Sequence, residues 1–162
     1  MKIFGKSLSD YVKFEKELLI LILVVGLARL GLSLLGVPNS TTKYFSLTVV
    51  LLLGLVYYSV TVHTSGFGSY KQLLPVLELP SIVGGCIVVA GIVVAILTGK
   101  DNIFSAPEYS PSPTAGKTWF HAGAHVVAML VVPLVLWLVG SLIMFVTKKV
   151  TGTREPKAGA TT

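Results

Sequence analysis

Residues 119–147 read WFHAGAHVVAMLVVPLVLWLVGSLIMFVT, 29 consecutive positions with no Asp, Glu, Lys or Arg. As a helix rising about 1.5 Å per residue, this stretch is about 43 Å long. The hydrocarbon core of a bilayer is crossed by about 20 mostly apolar residues. The stretch is therefore read as a transmembrane helix that overhangs the hydrocarbon, and it sets the class of the whole chain.

Working outward, three more runs meet the same criterion: residues 18–37, 45–62 and 80–98, the third on a longer reading starting near Leu73. Turn chemistry separates them. Pro38-Asn39-Ser40 follows the first run and Ser65-Gly66-Phe67-Gly68-Ser69 the second, while Gly99–Lys117 carries Pro107, Pro111 and Pro113. Pro80 is expected at the first position of its helix, the commoner place for proline. That reading makes Tyr70–Leu79 a separate interfacial segment with Glu78 close to water. The predicted fold is an all-α integral membrane protein, a bundle of four transmembrane helices. An N-terminal segment (1–17) lies on the membrane surface, an outer Pro-rich loop covers 99–117, and 150–162 form a disordered tail.

Composition agrees. Hydrophobic residues make up 53% of the 162-residue chain and charged residues 12%, against roughly 25% charged in a soluble domain. Mean hydropathy is +0.82. The first apolar run is longer than the core of a signal peptide and no small-residue cleavage site follows it, so it is read as retained. The net charge of +6 does not point to nucleic acid, because the basic residues flank apolar spans instead of lining a soluble face. Near the span ends, Lys2, Lys6, Lys13, Lys16, Lys71, Lys148, Lys149, Arg154 and Lys157 fall on one side; only Lys43, Lys100 and Lys117 fall on the other. Nine against three puts both termini in the cytoplasm of a multi-pass protein of the cell's inner membrane. The single Cys86 excludes an intrachain disulfide.

Lipid supplies little hydrophobic drive between helices, so small residues mark where backbones approach. The expected inward stripes are Gly26, Arg29, Ser33 and Gly36; then Gly54, Tyr57, Tyr58 and Thr61; then Ser81, Gly84, Gly91 and Ala95; and finally His121, Ala124, His125 and Ala128.

Four groups of residues could carry chemistry. Arg29 lies within a span, where an arginine costs ~2.5–3.5 kcal/mol to insert and requires a partner or water. It would serve an anion or lipid headgroup, or be a structural arginine beside Ser33. His121 and His125 are four apart on one helix face, a spacing that suits a metal or one axial haem ligand. The bland alternative is a pair of headgroup-level imidazoles, with only Asp101, Glu108 and Tyr109 as further ligands on that side. At the inner end Glu78, His63, Tyr57 and Tyr58 form a looser polar set, in which Glu78 is read as a proton relay with His63 or, in preference, as a helix-end carboxylate. Asn39-Ser40-Thr41 matches a glycosylation acceptor but is read as the turn and N-cap before the second helix. No nucleophile elbow, zinc-protease motif, phosphate loop or spaced acid pair is present.

Residues 62–85, VHTSGFGSYKQLLPVLELPSIVGG, resemble bacterial Yip1-domain membrane proteins. The resemblance is carried by Gly66, Gly68, Tyr70, Lys71, Gln72 and Pro80 and covers about a seventh of the chain. It implies a non-enzymatic multi-span bundle acting in membrane organisation or trafficking. The reading with most support is thus a non-catalytic membrane protein that scaffolds, assembles or organises lipid, without a cofactor, its partners being the bilayer and other membrane subunits or copies of itself. The alternatives are a transporter or channel subunit using Arg29, and a cofactor-binding electron-transfer subunit using His121 or His125.

Overall fold

The computed structural model describes residues 2–107 and 115–152. The chain opens with a hairpin, β1 (Lys2–Ile3) and β2 (Lys6–Ser7), followed by α1 (Leu8–Phe14), α2 (Lys16–Leu34), the one-turn α3 (Asn39–Thr42), α4 (Leu47–Thr64) and α5 (Tyr70–Thr98). A 3₁₀ turn at Ala115–Lys117 leads into α6 (Trp119–Thr151). Four helices are long and apolar enough to cross a membrane. Around the bundle they run in the order α2, α4, α6, α5, with α5 and α6 the most extensively paired. The hairpin, the turn before α5 and the end of α6 gather at one end, called basal; residues 99–106 lie at the other, distal end.

The N-terminal segment is more than a surface helix. Phe4 and Gly5 both take positive φ (48° and 90°), which gives the two-residue turn whose twist suits a hairpin. Ser7 and Asp10 form a reciprocal capping box that starts α1, and these hydrogen bonds hold the Asp10 carboxyl below its usual range. Tyr11 is fully buried and its hydroxyl donates to the Ile3 carbonyl at 2.9 Å. The Gln72 side chain, which also caps α5, donates to the Phe4 carbonyl at 2.7 Å. The hairpin and α1 are thereby docked on the basal end of α5.

Three expectations are corrected. The α4 cap is Ser46, whose Oγ accepts from Val49 N at 3.3 Å; Asn39-Ser40-Thr41 instead belong to α3, which begins after Pro38. The third long helix does not start at Pro80 but runs unbroken from Tyr70, with Pro75 and Pro80 both inside it and buried. A proline costs a helix one hydrogen bond, but packing against neighbouring helices tolerates this in a bundle. The inward face of α6 is only in part the one expected: His121, His125 and Ala128 are half-buried, but Ala124 is exposed and Ala122, Pro133, Gly140 and Met144 are the buried positions.

Pro133 shows how a missing donor is replaced. It has no N–H for the carbonyl one turn back, that of Met129. The Ser81 hydroxyl of α5 donates to that carbonyl at 3.0 Å. One turn further along α5, a Cβ on Gly85 would lie 2.7 Å from the Met129 Cβ, so only glycine permits this approach. Ser81→Ala should therefore destabilise the protein by about 1 kcal/mol. Pro133→Ala, which restores the donor inside α6, should make the loss of Ser81 nearly silent. A double-mutant cycle on unfolding free energy in mild detergent checks the coupling, and additive effects would rule it out.

The interior divides into two clusters. The basal one joins Tyr11, Leu55, Tyr58, Val62, Leu73, Val76, Leu77 and Met144, with Phe14, Phe67, Tyr70 and Trp137 packed against it. The second centres on Ile22, Leu47 and Val50. Trp137 Nε1 donates to the Tyr70 carbonyl at 2.7 Å, tying α6 to the start of α5. Outward, leucines and valines of α2, α4 and α6 stay exposed, as expected for helices that turn an apolar side to lipid.

Candidate functional site

The distal end brings together most of the residues singled out from the sequence. Arg29 and Ser33 lie one turn apart on α2. The segment after α5, expected as part of a Pro-rich loop, folds back over them. Asn102, Ile103, Ser105 and Ala106 are all buried, Asn102 to 2% exposure. Asn102 is the pin. Its Nδ2 donates to the Gly91 carbonyl of α5 at 2.7 Å, its Oδ1 accepts from Phe104 N at 3.0 Å, and its own N–H donates to Ser105 Oγ at 3.1 Å. Gly91 makes room, since a Cβ there would lie 2.6 Å from the Phe104 ring.

The folded-back segment touches three of the four distal candidates. Ser33 Oγ accepts from Ile103 N at 2.8 Å. The Arg29 guanidinium stands 5.3 Å from the Phe104 ring centroid, within cation–π range. His121 Nε2 is 3.4 Å from the Phe104 carbonyl. His125 packs edge-to-face on His121 with centroids 4.9 Å apart. It also lines a crevice of about 200 Å³ with Ser81, Gly85 and Met129. Asp101 is engaged by Lys117 at 3.1 Å. Among the described residues no three His, Cys, Asp or Glu side chains cluster as metal ligands. Glu108 and Tyr109 lie outside the described residues. The distal site is a polar cap in which side chains bind backbone groups.

The basal candidates do not converge. Tyr58 is buried while its neighbour Tyr57 is exposed, their rings edge-to-face at 5.0 Å. His63 is half-buried in the last turn of α4. Glu78 is not at a helix end but inside α5, half-buried. It lines an apolar groove of about 440 Å³ with Ile3, Phe4 and Leu8 of the hairpin and α1. Cys86 is exposed on the outer side of α5.

Sequence reasoning missed Glu15, which lies between α1 and α2. It is 0% exposed, and neither carboxyl oxygen has a hydrogen-bond partner. Burial pushes its pKa up to about 9. Beside the charged Lys16 and Glu17 it reads as a surface anchor. The signal was helical spacing: Tyr11, Glu15, Ile22, Gly26, Arg29 and Ser33 continue one stripe at steps of three, four and seven. Ser59, also fully buried with an unpartnered hydroxyl, lies next to Tyr58 and gave no such signal.

Comparison with family models, with curated proteins and with solved structures finds no match. The class defined by fold and site is a four-helix bundle with four apolar spans, closed at one end by a folded-back loop and at the other by a docked hairpin and helix.

Proposed function

We propose that this chain is a non-catalytic integral membrane protein with both termini in the cytoplasm, serving as an assembly or membrane-organising subunit of the inner membrane. The observation that carries this reading is how the interior polar side chains are used. Ser33, Ser81, Asn102, Gln72 and Trp137 each bond a backbone group of another element. Where α5 meets α6, and where α4 meets α6, glycines allow contact too close for a Cβ. Such an interior favours a rigid body over a hydrated path. The exposed leucine and valine surfaces suit lipid or the helices of other membrane subunits. The charge asymmetry supports the orientation.

Two measurements on one sample test this. Lys100→Cys in a Cys86→Ser background should react with an impermeant maleimide on intact cells, and cross-linking in native membranes should capture other membrane proteins or a second copy. Labelling only after permeabilisation would reverse the orientation. A lone monomer that carries ion or solute flux in proteoliposomes would replace the assembly role with transport.

A further inference from the structure

We infer that Glu15 is a proton-binding site, and that its proton holds the N-terminal cap (hairpin and α1) docked on the basal end of the bundle. The carboxyl is fully enclosed and both its oxygens lack partners. A carboxylate so placed would be a buried charge without compensation, which proteins avoid by holding the neutral acid.

Among the described residues no side chain is paired with it. From α1 comes Tyr11, fully buried one turn earlier. From α4 comes Tyr58, which interacts electrostatically with Glu15, with Tyr57 and with Glu17 of α2. From α5 comes Tyr70, packed on the same cluster. Two lysines at this end face aromatic rings: Lys6 lies 4.4 Å from the Phe67 centroid and Lys148 4.0 Å from that of Tyr70. Among the described residues none forms an ion pair with Glu15. Phenols thus stand near a carboxyl that has no cation paired with it and no hydrogen-bond donor.

The joint is a local break in the backbone geometry. Glu15 leaves the helical region (φ −110°, ψ 16°) between α1 and α2, while backbone bonds from Glu15 to Tyr11 and from Leu19 to Glu15 keep the two helices connected. Beyond this joint the cap is held by the Gln72 bond to Phe4, the Lys6 contact, and Phe14 stacked on Phe67 at 3.8 Å. When Glu15 loses its proton to water at the basal side, rotation about this joint hydrates the carboxylate and withdraws Tyr11 and Phe14 from the basal cluster, while α2, α4, α5 and α6 stay paired.

The direction in pH follows from linkage. Burial pushes the docked carboxyl up to about 9, against 4.5 for an ordinary exposed glutamate. Docking is therefore tightest below about pH 4.5. It weakens about tenfold per pH unit as pH rises between those limits, because undocking releases one proton.

The test uses the full chain in lipid nanodiscs, with spin labels at Lys13→Cys and Lys149→Cys in a Cys86→Ser background. Electron–electron distances should show one narrow population at pH 5 and a growing broad, longer one towards pH 10. Glu15→Gln should stay narrow throughout, and Glu15→Leu serves if the glutamine variant misfolds. Infrared spectra at pH 7 should contain a protonated-carboxyl band that Glu15→Gln lacks. A wild-type distance distribution that ignores pH, an identical pH response in Glu15→Gln, or no such band would each overturn the inference.

Discussion

Gly140→Leu is expected to lower stability by about 3 kcal/mol or more and to broaden or aggregate the protein on size-exclusion chromatography. A Cβ at this position would lie 2.6 Å from Ser59 Oγ, 3.0 Å from Leu55 Cδ1 and 3.1 Å from Leu73 Cδ2. Ser59 is short and fully buried, so it cannot swing aside as a long side chain would. Overpacking a well-filled core typically costs 1–3 kcal/mol, and here α4, α5 and α6 would all have to separate. Gly123→Ala in the same helix is the control. A Cβ there meets nothing within 4 Å, so that variant should be neutral or slightly stabilising, since glycine is a weak helix former. Equal stabilities for the two variants, by thermal unfolding in detergent, would show that α6 does not pack through Gly140.

Asn102→Leu should be the most damaging change at the distal end, costing about 2–3 kcal/mol. Leucine is close in size but can neither donate to the Gly91 carbonyl nor accept from Phe104 N, and both partners would lose their buried bond. The loss should be local. Residues 99–106 should gain amide hydrogen exchange and protease sensitivity while the basal end keeps its protection. Asn102→Asp should approach the same loss at neutral pH, since it keeps the acceptor but turns a buried carboxylate oxygen toward the Gly91 carbonyl. Unchanged exchange in this segment would mean that burial of Ile103 and Ala106, and not the side-chain bonds, holds it down.

Much of the fold was legible because lipid spanning imposes a coarse rule on sequence. Four apolar runs became four helices, Gly99 (φ 71°) ends α5, and Gly26, Arg29 and Ser33 of the expected α2 stripe face the bundle, while Gly36 lies exposed beyond the end of α2. What was not legible depends on contacts distant in sequence. Pro75 and Pro80 look like breaks when only the local hydrogen bond is counted; their burial against other helices decides otherwise. The fold-back at Asn102 has a local part, the Asn-x-x-Ser turn, but its anchor on Gly91 is eleven residues away. Glu15 was hidden by its charged neighbours, because membrane-flanking acids and lysines are ordinarily solvated. The α6 face was misjudged for a related reason. Histidines and alanines near Trp119 drew attention to the distal turns, while Gly140 and Met144 make the contact lower down.

Helix length carries a mechanical consequence for the surrounding lipid. α2 and α4 have 19 and 18 residues, about 28 and 27 Å of helix, whereas α5 and α6 have 29 and 33, about 43 and 50 Å. The short pair and the long pair are neighbours around the bundle, so each makes its own flank. Hydrocarbon about 30 Å thick matches the first flank and falls short of the second. In the bilayer proposed for this chain, acyl chains beside α5 and α6 would stretch, the helix ends would overhang into the headgroups, or the bundle would lean towards that side, stretching and leaning each costing fractions of a kcal/mol per ångström of mismatch. The annulus of lipid around the proposed membrane subunit would therefore be lopsided, and two such long flanks placed side by side would share one thickened patch where apart they would each deform their own.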